Sequence, residues 1–276
     1  NISGQLQAGY NWSELDFGTL DGTLNSAWSI SSSRLRVGGQ AMDGLTYFLQ
    51  FDPQGADQGN NNLVDAWVGW QINDVVHARI GQQKMRSGLS ADTSANDTDF
   101  ETVDRSIATE EFANLRATGV LFTGHSMEGR FNWHAGVMNN GTAAGGIADF
   151  WNGVAQNQPV TPTQSNGNTD MSFTVGASFG SGGNSEAWSE GDLAQDGNMS
   201  WIAGVTLTQD NGDNDDLQTI NAYGGLKSGS GLAAQVEFWS RDADAADTTD
   251  SGMSIQASYT LPMTGSWQPG FVARVP

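Results

Sequence analysis

Apolar and polar residues alternate with period two in segment after segment of this chain. The clearest run lies between Ser31 and Met85, in four consecutive stretches reading SSSRLRVGGQAM, GLTYFLQFD, NLVDAWVGWQI and VVHARIGQQKM. In the first, Leu35, Val37, Gly39 and Ala41 share one face, and Arg34, Arg36 and Gln40 share the other. In the second, Leu45, Tyr47, Leu49 and Phe51 oppose Thr46, Gln50 and Asp52. In the fourth, Val76, Ala78 and Ile80 oppose His77, Arg79, Gly81 and Gln83. Successive side chains of a strand point to opposite faces, so each stretch has one apolar and one polar, partly cationic face. Each is about the length of a strand crossing a bilayer on a slant, roughly 9–11 residues. Lipid outside and water inside a barrel wall is the arrangement that uses both faces.

The rhythm continues along the chain. Gln5 to Trp12 reads as a first strand, followed by a loop, SELDFGTLDGTLNSAW. Further strands are expected over ATGVLFTGH, around Phe131–Val137, Met171–Phe179, Met199–Thr208, Ile220–Leu226, Leu232–Arg241 and Met253–Leu261, and in the final WQPGFVARVP. That makes thirteen strands in a single β-barrel domain spanning residues 1–276, with short turns alternating with longer loops. A closed single-chain bacterial barrel normally has an even number of strands, so C-terminal strands are expected to be missing from this sequence. Two connections break the rhythm. Residues 87–115 form a long acidic insert, read as a loop that folds inward and constricts the barrel; Asp104 or Ser106 would cap a helical turn or two within it. SGGNSEAWSEGDLAQDGN falls where a short turn is expected and is too long for one.

Composition supports the same class. There is no run of about 18 apolar residues, so no transmembrane helix, and helical periodicity is almost absent. The 36 glycines and 10 tryptophans suit a barrel with aromatic girdles. Cys is 0, which fits a barrel closed by its own hydrogen bonds. No signal peptide precedes Asn1, the expectation being a mature form. The net charge of −20 argues against nucleic acid as a partner. Of the 11 basic residues, Arg34, Arg36, Arg79, Lys84, Arg86, Arg105, Arg116 and Arg130 all precede Val137.

An enzyme is not expected. His77, His125 and His134 lie in no metal-binding spacing, no G-x-S-x-G occurs, and no Ser/His/acid grouping can be placed. The polar faces make a pore instead. An unpaired cation against lipid costs about 2–4 kcal/mol at mid-bilayer, so Arg34, Arg36, His77, Arg79 and Arg130 should point into the lumen. Lys84, Arg86, Arg105 and Arg116 flank or lie within the insert, which would set Asp97, Asp99, Glu101 and Glu110 against them. Opposed charges at a constriction give a transverse field that sorts ions; the plainer alternative is that the cations only brace the insert. Two acidic loops, at 210–216 and 242–250, are dense in the hard oxygen ligands calcium takes, with Asp213, Asp215, Asp216, Asp242 and Asp244 as candidates. A solvated surface is the simpler reading of both, and no other cofactor is expected.

The stretches RLRVGGQAMDGLTYFLQFD, LVDAWVGWQIND, ARIGQQKMRSGLS and VDRS resemble the phosphate-selective porin O and P family of Gram-negative outer membranes. That family has an R-x-R-x-x-x-x-G strand, an x-D-A-x-V-G strand, a V-G-Q-x-K strand, and a long loop ending near an E-R-S-like element. Here that element reads Asp104-Arg105-Ser106, and Arg86 stands where the family often has proline. The resemblance implies sixteen strands in the complete protein, a homotrimer, and uptake of anions such as phosphate. The chain has only two lysines, Lys84 and Lys227, too few for a lysine ladder along the lumen. The expectation is therefore an all-β, antiparallel transmembrane β-barrel in the outer membrane, passing small hydrophilic solutes and ions. The alternative is an anchor whose acidic loops meet lipopolysaccharide or a surface layer through divalent cations.

Overall fold

A computed structural model describes residues 1–14, 24–52, 63–93, 105–113, 116–139, 171–181, 187–211, 216–244, 247–263 and 268–275. The strands are β1 (Ile2–Glu14), β2 (Leu24–Met42), β3 (Leu45–Phe51), β4 (Leu63–Asn73), β5 (Val76–Lys84), β6 (Arg116–Ser126) and β7 (Phe131–Asn139). They continue with β8 (Met171–Gly180), β9 (Ser200–Asn211), β10 (Asp216–Lys227), β11 (Leu232–Ala243), β12 (Thr248–Thr260) and β13 (Gly270–Val275). All thirteen belong to one sheet in sequence order, each antiparallel to the next. Two short helices, α1 (Leu89–Asp92) and α2 (Ile107–Phe112), lie between β5 and β6.

The distribution of burial is the reverse of that in a water-soluble protein. Along β8 the exposed positions are Met171, Phe173, Val175 and Phe179, and the buried ones include Ser172, Thr174 and Ser178. On β11 Val236 and Phe238 are exposed while Gln235 and Glu237 are buried. On β12 Ile255 and Tyr259 are exposed while Ser254, Gln256 and Ser258 are buried. A sheet with an apolar outside and a hydrogen-bonding inside is stable when lipid surrounds it. The protein is thus an antiparallel transmembrane β-barrel.

Connections alternate between the two barrel ends. At one end the turns are short. Asp43–Gly44 is a two-residue turn in which Gly44 takes φ 75°, a conformation that favours glycine. Asn73 Oδ1 accepts from Val75 N and Val76 N at 3.0 Å to close the next. One pairing is longer than the sequence pattern implies. Residues 24–28, read as part of a loop, belong to β2, whose first part pairs with β1 from Ala8↔Ile30 to Glu14↔Leu24 beyond a bulge at Gln7/Ala8. The polar residues there hide the strand period.

Among the described residues there is no single apolar core. Three small clusters lie inside the barrel, each where a connecting segment meets the wall. They are Met85 with Ala117, Leu121 and Met138; Ala91, Ala108, Phe112 and Ala113 with Trp239; and Leu89 and Trp188 with Ile202 and Tyr223.

Candidate functional site

The inward face of β2 to β6 carries the cations. Arg34 Nε donates to Asp52 Oδ2 at 3.4 Å, and Arg36 Nε to Gln50 Oε1 at 3.1 Å. Arg116 holds Asp65 with a fork, Nε to Oδ1 at 3.0 Å and Nη2 to Oδ2 at 3.3 Å. Arg79 lies 4.6 Å over the Trp67 ring, which stacks on Phe48 at 5.6 Å. Lys84 Nζ donates to the carbonyls of Asp92 (3.0 Å) and Thr93, at the end of α1. Arg105 Nε donates to Ser90 O at 3.2 Å. Arg105 is thereby brought within electrostatic reach of Arg34, Lys84 and Arg116. Burial, then the repulsion of Arg116 and Arg34, lowers its pKa to about 10, so it is charged at neutral pH.

The described parts of the insert dock on β11 through four alternating residues. Gln235 Nε2 donates to Ser90 Oγ at 3.2 Å. Glu237, fully buried, accepts from Ser90 N at 3.1 Å and from Thr109 Oγ1 at 3.3 Å. Trp239 stacks on Phe112 with centroids 6.4 Å apart. Arg241 donates to Glu111 O at 3.0 Å and Oε1 at 3.1 Å, and covers the Phe112 ring at 4.9 Å. Ser106 Oγ caps α2 by accepting from Thr109 N at 3.0 Å. A Cβ on Gly88 would lie 2.5 Å from the Trp239 ring, so the approach of this segment to the wall requires glycine.

A cavity of about 270 Å³ opens between the inward faces of β3 to β10. His77, His125 and His134 all line it, with Arg79, Arg86 and Tyr223 and, among the described residues, with no acidic one. Arg86 enters through a left-handed backbone (φ 62°), a conformation closed to the proline common at this position in the resembling family. Thr174 Oγ1 donates to its carbonyl at 3.4 Å.

Comparison with known proteins decides the family. The model of the family described as phosphate-selective porin O and P matches residues 1–269. The chain belongs to that family. It is a porin, a channel of the Gram-negative outer membrane and not an enzyme. No curated protein matches it by sequence. Among solved structures it is similar to a Salmonella typhi OmpF complex with daunomycin (14% identity, TM-score 0.46, 99% of this chain and 89% of that one). It is also similar to an anion-selective porin from Comamonas acidovorans (13% identity, TM-score 0.41, 96% and 86%). A third is a loop-deletion mutant of OmpT from Vibrio cholerae (12% identity, TM-score 0.40, 99% and 94%).

The predicted site residues of the porin divide into three groups. Arg34, Lys84, Arg105 and Arg116 form one electrostatic cluster, with Glu110 acting on Arg105. His77, Arg79 and Arg86 line the cavity, and Arg36 belongs to the same wall. Arg130 sits in the exposed turn between β6 and β7, at the barrel end instead of on a strand. Asp97, Asp99 and Glu101 lie outside the described residues, as do Asp104, Asp213 and Asp215. Asp216, Asp242 and Asp244 are described, and among the described residues no group of three or more His, Asp or Glu could hold a metal ion. Sequence reasoning did not single out Glu237, Trp239, Trp188, Glu190 or Arg274. The available signal was Trp239 and Tyr223 falling on the polar phase of their strands, since a large ring facing a lumen needs something to pack against.

Proposed function

We propose that this porin is a diffusion channel whose constriction is formed by the 87–115 insert against the β2–β6 wall, and that it prefers anions, phosphate among them. The observation that carries this reading is the convergence of Arg34, Lys84, Arg105 and Arg116 from β2, β5, the insert and β6. Among the described residues Asp52 pairs with Arg34 and Asp65 with Arg116, while Arg105 lies close enough to Arg34 and Arg116 to feel their repulsion. The acidic net charge of the chain does not set the field at this point, because exposed charges beyond about 8–10 Å are screened at physiological salt. Guanidinium groups present planar donors that suit oxyanions. Three such barrels associate as a trimer in this reading.

The test is the reversal potential of single channels in a planar bilayer under a KCl gradient. Wild type should be anion-preferring. Arg34→Ala/Arg105→Gln/Arg116→Ala should shift the reversal potential toward cations. Channels that open with no shift would leave the cations as braces for the insert.

A further inference from the structure

The connection between β8 and β9 leaves the short-turn end of the barrel, where neighbouring strands are joined by turns such as Asp43–Gly44 and Ser228–Gly231. Joining two antiparallel strands takes as few as two residues. Residues 181–199 do something else. Trp188 is 1% exposed and lies inside the barrel in one buried apolar cluster with Ile202, Tyr223 and Leu89. Leu89 belongs to the insert that enters from the opposite end, so the two segments meet within the lumen. Lys227 Nζ lies 4.3 Å over the Trp188 ring and donates to Ser189 Oγ at 2.6 Å. A Cβ on Gly225 would lie 2.5 Å from that ring, so β10 is cut back to admit it.

The segment is anchored on the last three strands. Glu190, its side chain wholly buried, accepts from Arg274 Nη2 at 3.0 and 3.2 Å and from Gln256 Nε2 at 3.1 Å. Arg274 Nε in turn donates to Gln256 Oε1 at 2.7 Å. Asp192 Oδ2 accepts from Gly231 N at 2.7 Å, and Gln195 Nε2 donates to Thr260 O at 2.7 Å. A buried carboxylate held this way positions the chain on either side of it, because removing one partner leaves the other charge uncompensated. Placing an indole in the passage is no requirement of a turn, and the ordering it demands is spent on narrowing the lumen.

We propose that residues 187–193 are a second constriction element, entering from the short-turn end, and that the Leu89–Trp188 contact sets the size limit for solutes. This rests on the channel reading above. Glu190 and Arg274 are positioning residues for Trp188.

The test measures single-channel conductance and exclusion of neutral polyethylene glycols on wild type, Trp188→Ala and Glu190→Gln. Folding is verified by the heat-dependent shift in gel mobility. Trp188→Ala should raise conductance by about two-fold and admit larger polymers, since the passage loses an indole at its narrowest point. Glu190→Gln should retain mean conductance more nearly but add current fluctuations as the anchor weakens. Folded channels in which both variants conduct and exclude polymer as wild type does would overturn the proposal and leave the channel reading intact. Current in Trp188→Ala with none in wild type would support it, the segment then being a complete plug. Absence of current in all three would sink the channel reading and the proposal together. The chain has no cysteine, so Leu89→Cys/Trp188→Cys bridged by a short thiol cross-linker reports the contact without current. A folded barrel that does not cross-link refutes the proposal by itself.

Discussion

The two walls of this barrel obey the same alternation and use their inward faces differently. On β2 to β6 most of the inward charges are satisfied sideways, by neighbours in the wall: Arg34 by Asp52, Arg36 by Gln50, Arg116 by Asp65, Arg79 by Trp67, while Lys84 reaches the insert at Asp92 and Thr93. On β11 to β13 they are satisfied across the lumen, by the inserts: Glu237 by Ser90 and Thr109, Arg241 by Glu111, Arg274 by Glu190. The first wall holds most of its charges by itself. The second is a docking surface.

The outward face tests what both walls share. Phe238 is 47% exposed, between inward Glu237 and Trp239. Phe238→Arg should cost about 2–4 kcal/mol by placing a cation against lipid, whereas Thr46→Arg on the inward face of the first wall should cost little. Denaturant midpoints of refolding into vesicles check this; equal losses would mean that the faces are misassigned.

The walls should separate when a carboxylate is removed from each. Glu237→Leu leaves the Ser90 N–H and the Thr109 hydroxyl without their acceptor, worth about 1–3 kcal/mol for each buried group. The insert should then be released, and hydrogen exchange across residues 85–93 and 105–113 should rise. Asp52→Leu removes a partner from Arg34, whose side chain is 20% exposed, and should cost about 0–1 kcal/mol. Exchange in the insert should not change. Similar effects from both substitutions would erase the distinction.

What was legible in the sequence follows the same division. Wherever alternation is strict, as on the strands between Arg34 and Gln83 and between Met171 and Thr260, a period-two pattern reports the face of each residue, because lipid imposes one polarity and the lumen another. The pattern gives thirteen strands, and thirteen are present among the described residues. It fails at residues 24–28, where serine and asparagine blur the period, and it could not show where the inserts go. Docking depends on contacts between distant segments: Ser90 and Glu237 are 147 residues apart, and Glu190 and Arg274 are 84 apart. No local spacing encodes such pairs. The excess length of SGGNSEAWSEGDLAQDGN was visible, while its entry into the barrel was not.

A smaller effect sharpens the account of the first wall. Arg116 and Asp65 have side chains 21% and 9% exposed and bond through a fork. A double-mutant cycle with Arg116→Ala and Asp65→Ala should give a coupling of about 1 kcal/mol. Each single variant should also move the reversal potential, in opposite directions, since one removes a cation and the other an anion from the same wall. Shifts in the same direction would mean that the pair acts only through the shape of the passage.

The smallest effect concerns Arg105, which links the insert to the cationic cluster. Its pKa is lowered to about 10, by burial first and then by Arg116 and Arg34. Below about pH 10 the group is charged in the folded and unfolded chain alike, and the folded state bears the full cost of burying it. From about pH 10 up to the ordinary arginine range the unfolded chain retains a proton that the folded chain has released. Unfolding then takes up a proton, so this residue's contribution to stability improves as pH rises. Selectivity moves the other way, because deprotonation removes one cation from the cluster. The reversal potential should therefore be flat in this residue's contribution from pH 6 to 9 and drift toward cations above about 10. Arg105→Gln should abolish that drift and hold the channel at the high-pH value throughout. A drift that survives in Arg105→Gln would assign the titration to another group and take Arg105 out of the selectivity cluster.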